Sequence, residues 1–299
     1  MSTKSEILKA LEERRGQFVS GAELASVLGV SRTAVWKGIS ALMRDGVQIQ
    51  SRSGSGYMLP KSVNTLTEQG IERYLCAEGL DLRIFKKVDS TNNVAKRLAA
   101  DGAKEGKVVF ALEQSGGKGR LGRRFYSPSD CGVYMTVILR PSSEKIAYLT
   151  VLAAVAVAEG IERAGGKNTA IKWVNDVYAY GITCCGILTE AGADLETGGV
   201  EFAVVGIGIN VTEPKGGFAP EIRDIATSVC DGVEDARNKV AAEVLNVYFD
   251  YYNAFDRDRL AEIYKAKSFL IGREITVVKS SGEQTARAVD IDRECHLIV

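Results

Sequence analysis

The stretch Ser115-Gly-Gly-Lys-Gly-Arg-Leu-Gly-Arg-Arg124, continued by Phe125-Tyr-Ser-Pro128, decides how the chain is read. Its positions 117–122 spell GxGxxG, the fingerprint of a dinucleotide-binding turn. That fingerprint has to open a helix, because the pyrophosphate rests on the helix N-terminus. Here Pro128 follows, and then the apolar run 133–140, so the turn leads into a strand. A doubly wound parallel sheet is thereby excluded. A kinase glycine loop fails as well, since the chain has neither HRD nor DFG, and no GxxxxGK[ST] phosphate loop occurs. What is left is a loop with glycines at 116, 117, 119 and 122 and cations at Lys118, Arg120, Arg123 and Arg124. No acid lies between Glu113 and Asp130. Glycine lets the backbone approach an anion closely, and guanidinium forks match phosphate oxygens. The plain alternative is a solvated loop without a ligand.

Outward from this loop, strand-like and helix-like segments alternate. Strands are predicted over 83–88, 108–113, 133–140, 169–173, 177–190 and 200–209. Asp89-Ser-Thr-Asn92 caps a helix to about Asp101, 146–163 is apolar on nearly every face and reads as a buried helix, and 236–255 is helical. The mixed order with glycine-punctuated hairpins indicates an α+β fold. Three further spots could converge on the loop. Asp89-Ser-Thr-Asn92 offers hydroxyls and free N–H groups at a helix start, as any N-cap does. Lys172-Trp-Val-Asn-Asp176 sets a point charge and an Asn–Asp pair at a strand end, fit for an anion and a metal. Gly206-Ile-Gly-Ile-Asn210 ends an apolar strand, where glycine marks close approach to the backbone. Each alone is more often structural than functional.

The N-terminal 61 residues follow another pattern. Ile7, Leu8 and Leu11 recur at helical spacing, and Ser20-Gly-Ala-Glu23 is a capping box. Gly29-Val-Ser31 turns the chain into a helix reaching about Arg44, with Val35, Ile39 and Leu42 on one stripe and Thr33, Lys37, Ser40 and Arg44 opposite. After Gly46 the period changes to an alternating hairpin, with Arg52 at its tip. That is a winged helix-turn-helix over 1–62, and duplex DNA is its expected partner through Arg32, Thr33, Lys37, Ser40 and Arg52. A three-helix protein-interaction module is the plainer alternative. Pro60 to Thr67 is polar and aperiodic, so a linker and a boundary are placed near 62–65.

Composition agrees with two domains and room for a small third, at 299 residues and roughly 150 per domain. The net charge of zero hides an asymmetry: 1–61 carry nine Lys/Arg against five acids, so a basic head sits on an acidic body. The longest charge-free stretches, 146–158 and 177–189, are too short to span a bilayer. The first residues alternate charge with apolar positions and hold no signal-peptide core, so no membrane association is expected. With six cysteines and no CxxC, reduced thiols in a cytoplasm are expected. One histidine, His296, argues against His-based metal sites and a His-dependent nucleophile.

The ordered set DSTN (89–92), QSGGKGRLGRR (114–124), KWVND (172–176), CGIL (185–188) and GIGIN (206–210), behind a winged helix, resembles the bifunctional biotin–protein ligase and biotin operon repressor family. The resemblance runs from about Lys4 to Val299. It implies a central mixed α/β ligase domain of class II synthetase type over 65–267 and a small SH3-like β domain over 268–299. It implies that biotin and ATP give biotinyl-5′-adenylate and pyrophosphate, that biotin passes to a lysine of a biotin carboxyl carrier domain of a carboxylase, and that the adenylate-bound homodimer represses biotin genes at operator DNA. Carried over by motif, Lys172 and Arg120 are catalytic; Ser90, Thr91, Asn92, Gln114, Lys118, Gly119, Arg120 and Lys172 hold biotin; Gly117, Arg120, Arg123, Asn175 and Asn210 hold ATP; and Asn175 and Asp176 adjoin Mg2+. This chain departs from the pattern at Val174, where proline is usual and the turn should loosen, at Lys118 for arginine, at Phe125 for tryptophan, and in a shortened C-terminal domain ending at Val299. Two other readings stand beside it. One is a biotin- or nucleotide-responsive transcription factor with weak or no ligase activity. The other is a lipoate-type acyl ligase, against which the DNA-reading head and cation-rich loop both argue. The near-uncharged strand at 177–190 is the candidate edge for dimer pairing.

Overall fold

The computed structural model describes residues 2–193, 199–279 and 282–299. The head is built of α1 (Thr3–Glu13), α2 (Gly21–Leu28), α3 (Arg32–Arg44), β1 (Gln50–Arg52) and β2 (Gly56–Met58). Its caps are those the sequence specifies: Ser20 Oγ accepts from Glu23 N and Ser31 Oγ from Ala34 N. Ile7, Leu11, Leu24, Val35, Ile39 and Leu42 close a separate small core. Gly56 is required where it stands, because a Cβ there would strike the Val19 carbonyl.

The body comprises α4 (Glu68–Glu72), β3 (Asp81–Phe85), α5 (Thr91–Ala100), β4 (Lys107–Ala111), β5 (Gly132–Leu139), α6 (Ser143–Ile146), α7 (Leu149–Arg163), β6 (Ala170–Lys172), β7 (Asp176–Ala179), β8 (Ile182–Ala193), β9 (Val200–Asn210), α8 (Ala236–Asn253) and α9 (Arg257–Lys267). Seven strands form one sheet in the order β3-β4-β5-β9-β8-β7-β6. Only β3 and β4 run parallel, bridged by α5; all other pairs are antiparallel. The fold is therefore α+β. Every residue of β5 is buried, because both sheet faces are covered and no period-2 alternation can survive. Val133, Met135, Val137 and Leu139 face α7 and α8 in the main core, while Ile138 joins Val109, Val204 and the Ala95–Ala99 face of α5 on the other side.

Several expectations change. The strand expected at 177–190 is a hairpin, β7 and β8, turned at Tyr180-Gly181 with φ of 52° and 79°, the left-handed pair of a tight two-residue turn. It is no simple sheet edge: β8 starts against β7, lies between β7 and β9 at Cys185–Gly186, and from Leu188 onward pairs β9 alone. The long helix starts at Leu149 behind the single turn α6. Helix α9 was not foreseen, although Asp256 caps it and Leu260, Ala261 and Tyr264 bury its inner face. The polar run after Pro60 is no free linker. Val63 and Leu66 are buried, Asn64 Oδ1 accepts from Arg237 N at 2.8 Å and Thr65 O accepts from Asn238 Nδ2 at 3.0 Å. Arg15 crosses the same seam, with Nη1 donating to Val63 O at 2.7 Å and Nη2 lying 3.0 Å from Asp235 Oδ1.

The C-terminal segment forms two antiparallel pairs, β10 (Glu274–Lys279) with β11 (Gly282–Arg287) and β12 (Asp290–Ile291) with β13 (Leu297–Ile298). Positions 280 and 281 lie outside the described residues. Ile291 and Cys295 sit in the main core, and Trp173 Nε1 donates to Cys295 O at 2.9 Å, so this segment is fastened beside the KWVND turn. All six cysteines are free and all but Cys76 are buried. Among the described residues no helix is long and apolar enough to cross a membrane.

Candidate functional site

The site grows from the start of α5, where two polar residues are held by a buried network. Gln114 Oε1 accepts from Thr91 N at 2.8 Å and from Thr91 Oγ1 at 3.1 Å, and Gln114 Nε2 donates to Ser127 Oγ at 2.8 Å. Thr136, projecting from β5, donates its hydroxyl toward Thr91 Oγ1 at 2.8 Å and Asn92 Oδ1 at 2.7 Å. Asn92 Nδ2 reaches Glu190 Oε2 at 2.8 Å, and Glu190 is paired with Lys96 at 2.6 Å. With its hydroxyl proton given to Gln114 and a lone pair facing Thr136, Thr91 has no donor left for a ligand. Ser90 differs. It stands at the N-cap without capping, its side chain is buried, and it is bonded to no described residue while lining a cavity. The sequence assigns the cap to Asp89-Ser-Thr-Asn92 without choosing among them; the structure leaves the Ser90 hydroxyl free for a ligand.

The GIGIN glycines make room. A Cβ on Gly206 would strike the Asn92 amide, and one on Gly208 would lie 2.5 Å from the Phe125 ring. Phe125 also rests over Gly186 of CGIL and meets Tyr134 edge-on at 6.3 Å. Its ring closes down the cavity lined by Ser90, Asn92, Gln114, Lys118 and Gly208 to about 20 Å³. On the ring's far side lies a second cavity of about 350 Å³, lined by Lys118, Gly119, Arg120, Arg123, Asn175, Asp176 and Asn210. Phe125 is the partition between them.

The glycine-rich loop lies folded over this second cavity. A backbone bridge joins Lys118 to Arg124, and Leu121 takes φ of 56° at the tip. Arg120 Nη1 donates to Asn175 Oδ1 at 2.8 Å, fastening the loop to the KWVND turn. Lys118 Nζ donates to Asn93 Oδ1 at 2.7 Å. Asn175 in turn donates to Asp176 Oδ1 at 3.0 Å and to Ile187 O at 3.1 Å. Burial pushes the Asp176 carboxyl above its usual range, opposed by Lys172, Arg120 and Arg123. One partly buried carboxylate beside three cations, in a cavity of nucleotide size, is arranged to receive a phosphate-bearing ligand.

Lys172 is placed differently from the other residues. It is exposed on edge strand β6, with Nζ 3.3 Å from Tyr178 Oη, and it lines neither cavity. The loop, Ser90, Thr91, Asn92, Gln114, Asn175, Asp176 and Asn210 are brought together; Lys172 adjoins them at Asp176, its register partner across β6 and β7, whose carboxyl feels its charge. Gly117 is held by close packing, for a Cβ there would meet the Phe125 carbonyl and lie 2.7 Å from Ser127 Oγ. The usual proline is replaced at Val174, yet the turn is held, with Tyr264 Oη donating to Val174 O at 3.0 Å. Among the described residues no group of three or more His, Cys, Asp or Glu could hold a metal by itself. Mg2+ commonly needs only one or two carboxylates alongside substrate phosphates, and Asp176 with Asn175 fits that demand once Arg120 releases the Asn175 oxygen.

The family model described as the HTH domain matches residues 3–58, and that described as the biotin/lipoate A/B protein ligase family matches residues 84–210. The bifunctional ligase/repressor BirA of Bacillus subtilis (strain 168) is 34% identical over 305 residues, covering 99% of this chain and 93% of that protein. The chain belongs to the biotin/lipoate A/B protein ligase family. BirA of Escherichia coli (strain K12) is 29% identical over 248 residues, covering 82% of this chain and 76% of that one. Among solved structures, biotin protein ligase from Aquifex aeolicus in complex with biotin and ATP superposes with a TM-score of 0.63 at 26% identity, over 73% of this chain and 90% of that chain. The family match of 84–210 spans α5, the glycine-rich loop, the KWVND turn and β9, so the matched segment carries the whole constellation described above.

On the head, Thr33, Lys37 and Arg32 are exposed on α3 and Ser40 is half-buried. Arg52 ends β1 with its guanidinium 4.5 Å from the Phe18 ring centre. It is thus held against Phe18, in the segment between α1 and α2, rather than standing free at the tip. Sequence reading missed Trp36, which is 60% exposed on the same face.

Proposed function

We propose that the chain joins biotin to ATP in the two cavities divided by Phe125, passes biotin to a carrier-domain lysine, and binds operator DNA through its winged helix. The observation that carries this reading is the fastening of the cationic loop to Asn175 by Arg120, over a cavity that adjoins the free Ser90 hydroxyl. Ser90, Asn92, Gln114 and Lys118 would hold the biotin head, with Phe125 moving aside to enlarge a space now about 20 Å³. Gly117, Gly119, Arg120, Arg123 and Asn210 would receive ATP.

A carboxylate oxygen of biotin attacks the α-phosphorus, the bond to the bridging oxygen breaks, and pyrophosphate leaves. Holding a carboxylate about 4 Å from a phosphate charge costs roughly 4 kcal/mol at an effective dielectric near 20. Lys118, Arg120 and Arg123 offset that repulsion, the more so as the loop excludes water. Lys172 would reach the reacting carboxylate by swinging off Tyr178. In the second step the neutral lysine amine of a biotin carboxyl carrier domain attacks the acyl carbon, AMP departs with the electron pair of the broken acyl–oxygen bond, and the nitrogen gives one proton to solvent as the amide forms. Asp176 and Asn175 would hold Mg2+, which when bound neutralises the charge of the phosphates. A homodimer would place two heads on a palindrome, with the outer edge of β8 beyond Leu188 available for pairing.

Biotin-dependent exchange of labelled pyrophosphate into ATP tests the reading. Exchange with biotin and not with lipoate is expected. No exchange would leave a biotin- or nucleotide-responsive regulator, and exchange with lipoate alone would make the chain a lipoate-type ligase.

A further inference from the structure

Trp36 lies on the exposed side of α3, at the flank between the polar, cationic stripe of Thr33, Ser40, Arg44 and Lys37 and the buried stripe of the head's own core. Around the helix axis the sequence puts Arg32, Met43, Trp36, Ser40, Thr33, Arg44 and Lys37 on one side and Val35, Ile39 and Leu42 on the other. The structure agrees: the second set is buried, whereas Trp36 is 60% and Met43 47% exposed. A tryptophan left so open on a monomeric surface is uncommon, and here it is set among cations rather than in an apolar patch. The indole makes no ring contact and no hydrogen bond with any described residue. At its other end α3 meets the rest of the protein. Asp45, the residue that ends the helix, is held by Lys4 of α1 and by Lys86 of the body at 2.9 Å. That leaves the first three turns of α3, with Trp36, clear of the body.

We infer that Trp36 reads the methyl groups of thymine in the major groove, so that the head discriminates sequence by apolar contact as well as by charge. The inference rests on the DNA-binding reading of the head and adds the residue that gives it selectivity. Residues in the first turns of a recognition helix reach base edges, whereas lysines and arginines at the flanks reach phosphates and fix register. Lys37, Arg44 and Arg32 are placed for phosphates. An indole has one ring donor and a broad apolar face, and the apolar feature a base pair offers in the major groove is the thymine methyl. Met43, two turns on along the same stripe, extends the apolar strip. A protein partner would also accept an indole, but the three cations flanking the stripe favour a polyanion.

The test uses the full chain loaded with biotin and ATP, and a duplex it selects from a randomised pool. Affinity is compared for that duplex and for the same duplex with deoxyuridine at every thymidine, a change that deletes only the methyls. Wild type should lose roughly tenfold on the deoxyuridine duplex. Trp36→Ala should lose about the same on the thymidine duplex and nothing further on the deoxyuridine one, while its salt dependence and pyrophosphate exchange stay at wild-type levels. Trp36→Phe, which keeps an apolar ring, should fall between. Unchanged affinity of Trp36→Ala for the thymidine duplex would overturn the inference and make the indole a protein contact. An equal further loss on removing the methyls from the variant's complex would overturn it too. Failure of wild type to select any duplex would overturn the DNA reading itself, an outcome separate from either.

Discussion

Arg15 carries the seam between head and body, and its removal has a calculable consequence. Its Nε and Nη2 donate to the Glu12 carboxylate at 3.0 and 2.9 Å, and Nη2 also meets Asp235 Oδ1 at 3.0 Å. The side chains of Arg15, Glu12 and Asp235 are 3%, 3% and 2% exposed. Two buried carboxylates therefore share one guanidinium. Replacing Arg15 by methionine keeps the volume and strips both carboxylates of their contact cation, and breaking a buried pair from one side costs about 3–5 kcal/mol. For a chain of this size that is on the order of 5–10 °C in the unfolding midpoint of the unit concerned. The pH dependence fixes the cause. Burial raises the pKa of Glu12 and of Asp235, opposed first by Arg15 in each case. Between the unfolded value near 4 and the raised folded value the folded state binds more protons, so stability falls as pH rises through that window. Without Arg15 the folded values climb further and the window extends upward. The deficit of Arg15→Met should thus be full at pH 8 and shrink as pH falls toward 5. Calorimetric unfolding across pH 5–8, with protease cleavage in 60–67 as a second readout, measures it. Glu12→Gln and Asp235→Asn added to Arg15→Met should restore most of the loss; asparagine is chosen because Asp235 holds φ of 55°. A deficit under about 1 kcal/mol, or one that does not change with pH, would refute the reasoning, since both follow from uncompensated buried charge.

Three further outcomes are expected. Gly208→Ala forces a Cβ against the Phe125 ring, 2.5 Å away before any adjustment, and overpacking of about 1–3 kcal/mol should lower biotin-dependent kcat/KM roughly tenfold; Phe125→Leu in the same chain should recover part of it, and no recovery would mean the ring is not the obstacle. Lys172→Ala should abolish pyrophosphate exchange with the unfolding midpoint unchanged, because the lysine is exposed and bonded only to Tyr178; wild-type exchange would remove it from the chemistry. Lys37→Ala with Arg52→Ala should weaken operator binding and reduce its salt slope by about two while leaving exchange intact, and loss of exchange as well would show that the head is not separable from the ligase.

Much of the site could be read from residue types because its elements are local. Ser20 and Ser31 cap helices with their own third neighbours, and a loop of four glycines and four cations declares its anion whatever surrounds it. The roles inside the motifs were less legible. Ser90 and Thr91 look alike as an N-cap pair, yet Thr136, 45 residues on, occupies the threonine hydroxyl and leaves the serine free. GIGIN signals close approach without saying to what; Asn92 and Phe125 come from a helix and a loop far along the chain. The hairpin within 177–190 was hidden because Tyr180-Gly181 lacks the Asn-Gly or Asp-Gly signature, and α9 because its buried face is short.

The sequence alone determined the winged helix, the α+β body and the chemistry of the loop, since periodicity, caps and charge act over a few residues. Tertiary structure alone decided that the polar run after Pro60 is docked, that Arg15 meets Asp235, that Phe125 divides two cavities and that Lys172 stands outside both. Each of these depends on which distant groups share a desolvated space, and there an unpaired charge is worth several kcal/mol and a single added methyl about 1–3 kcal/mol. No local pattern encodes that.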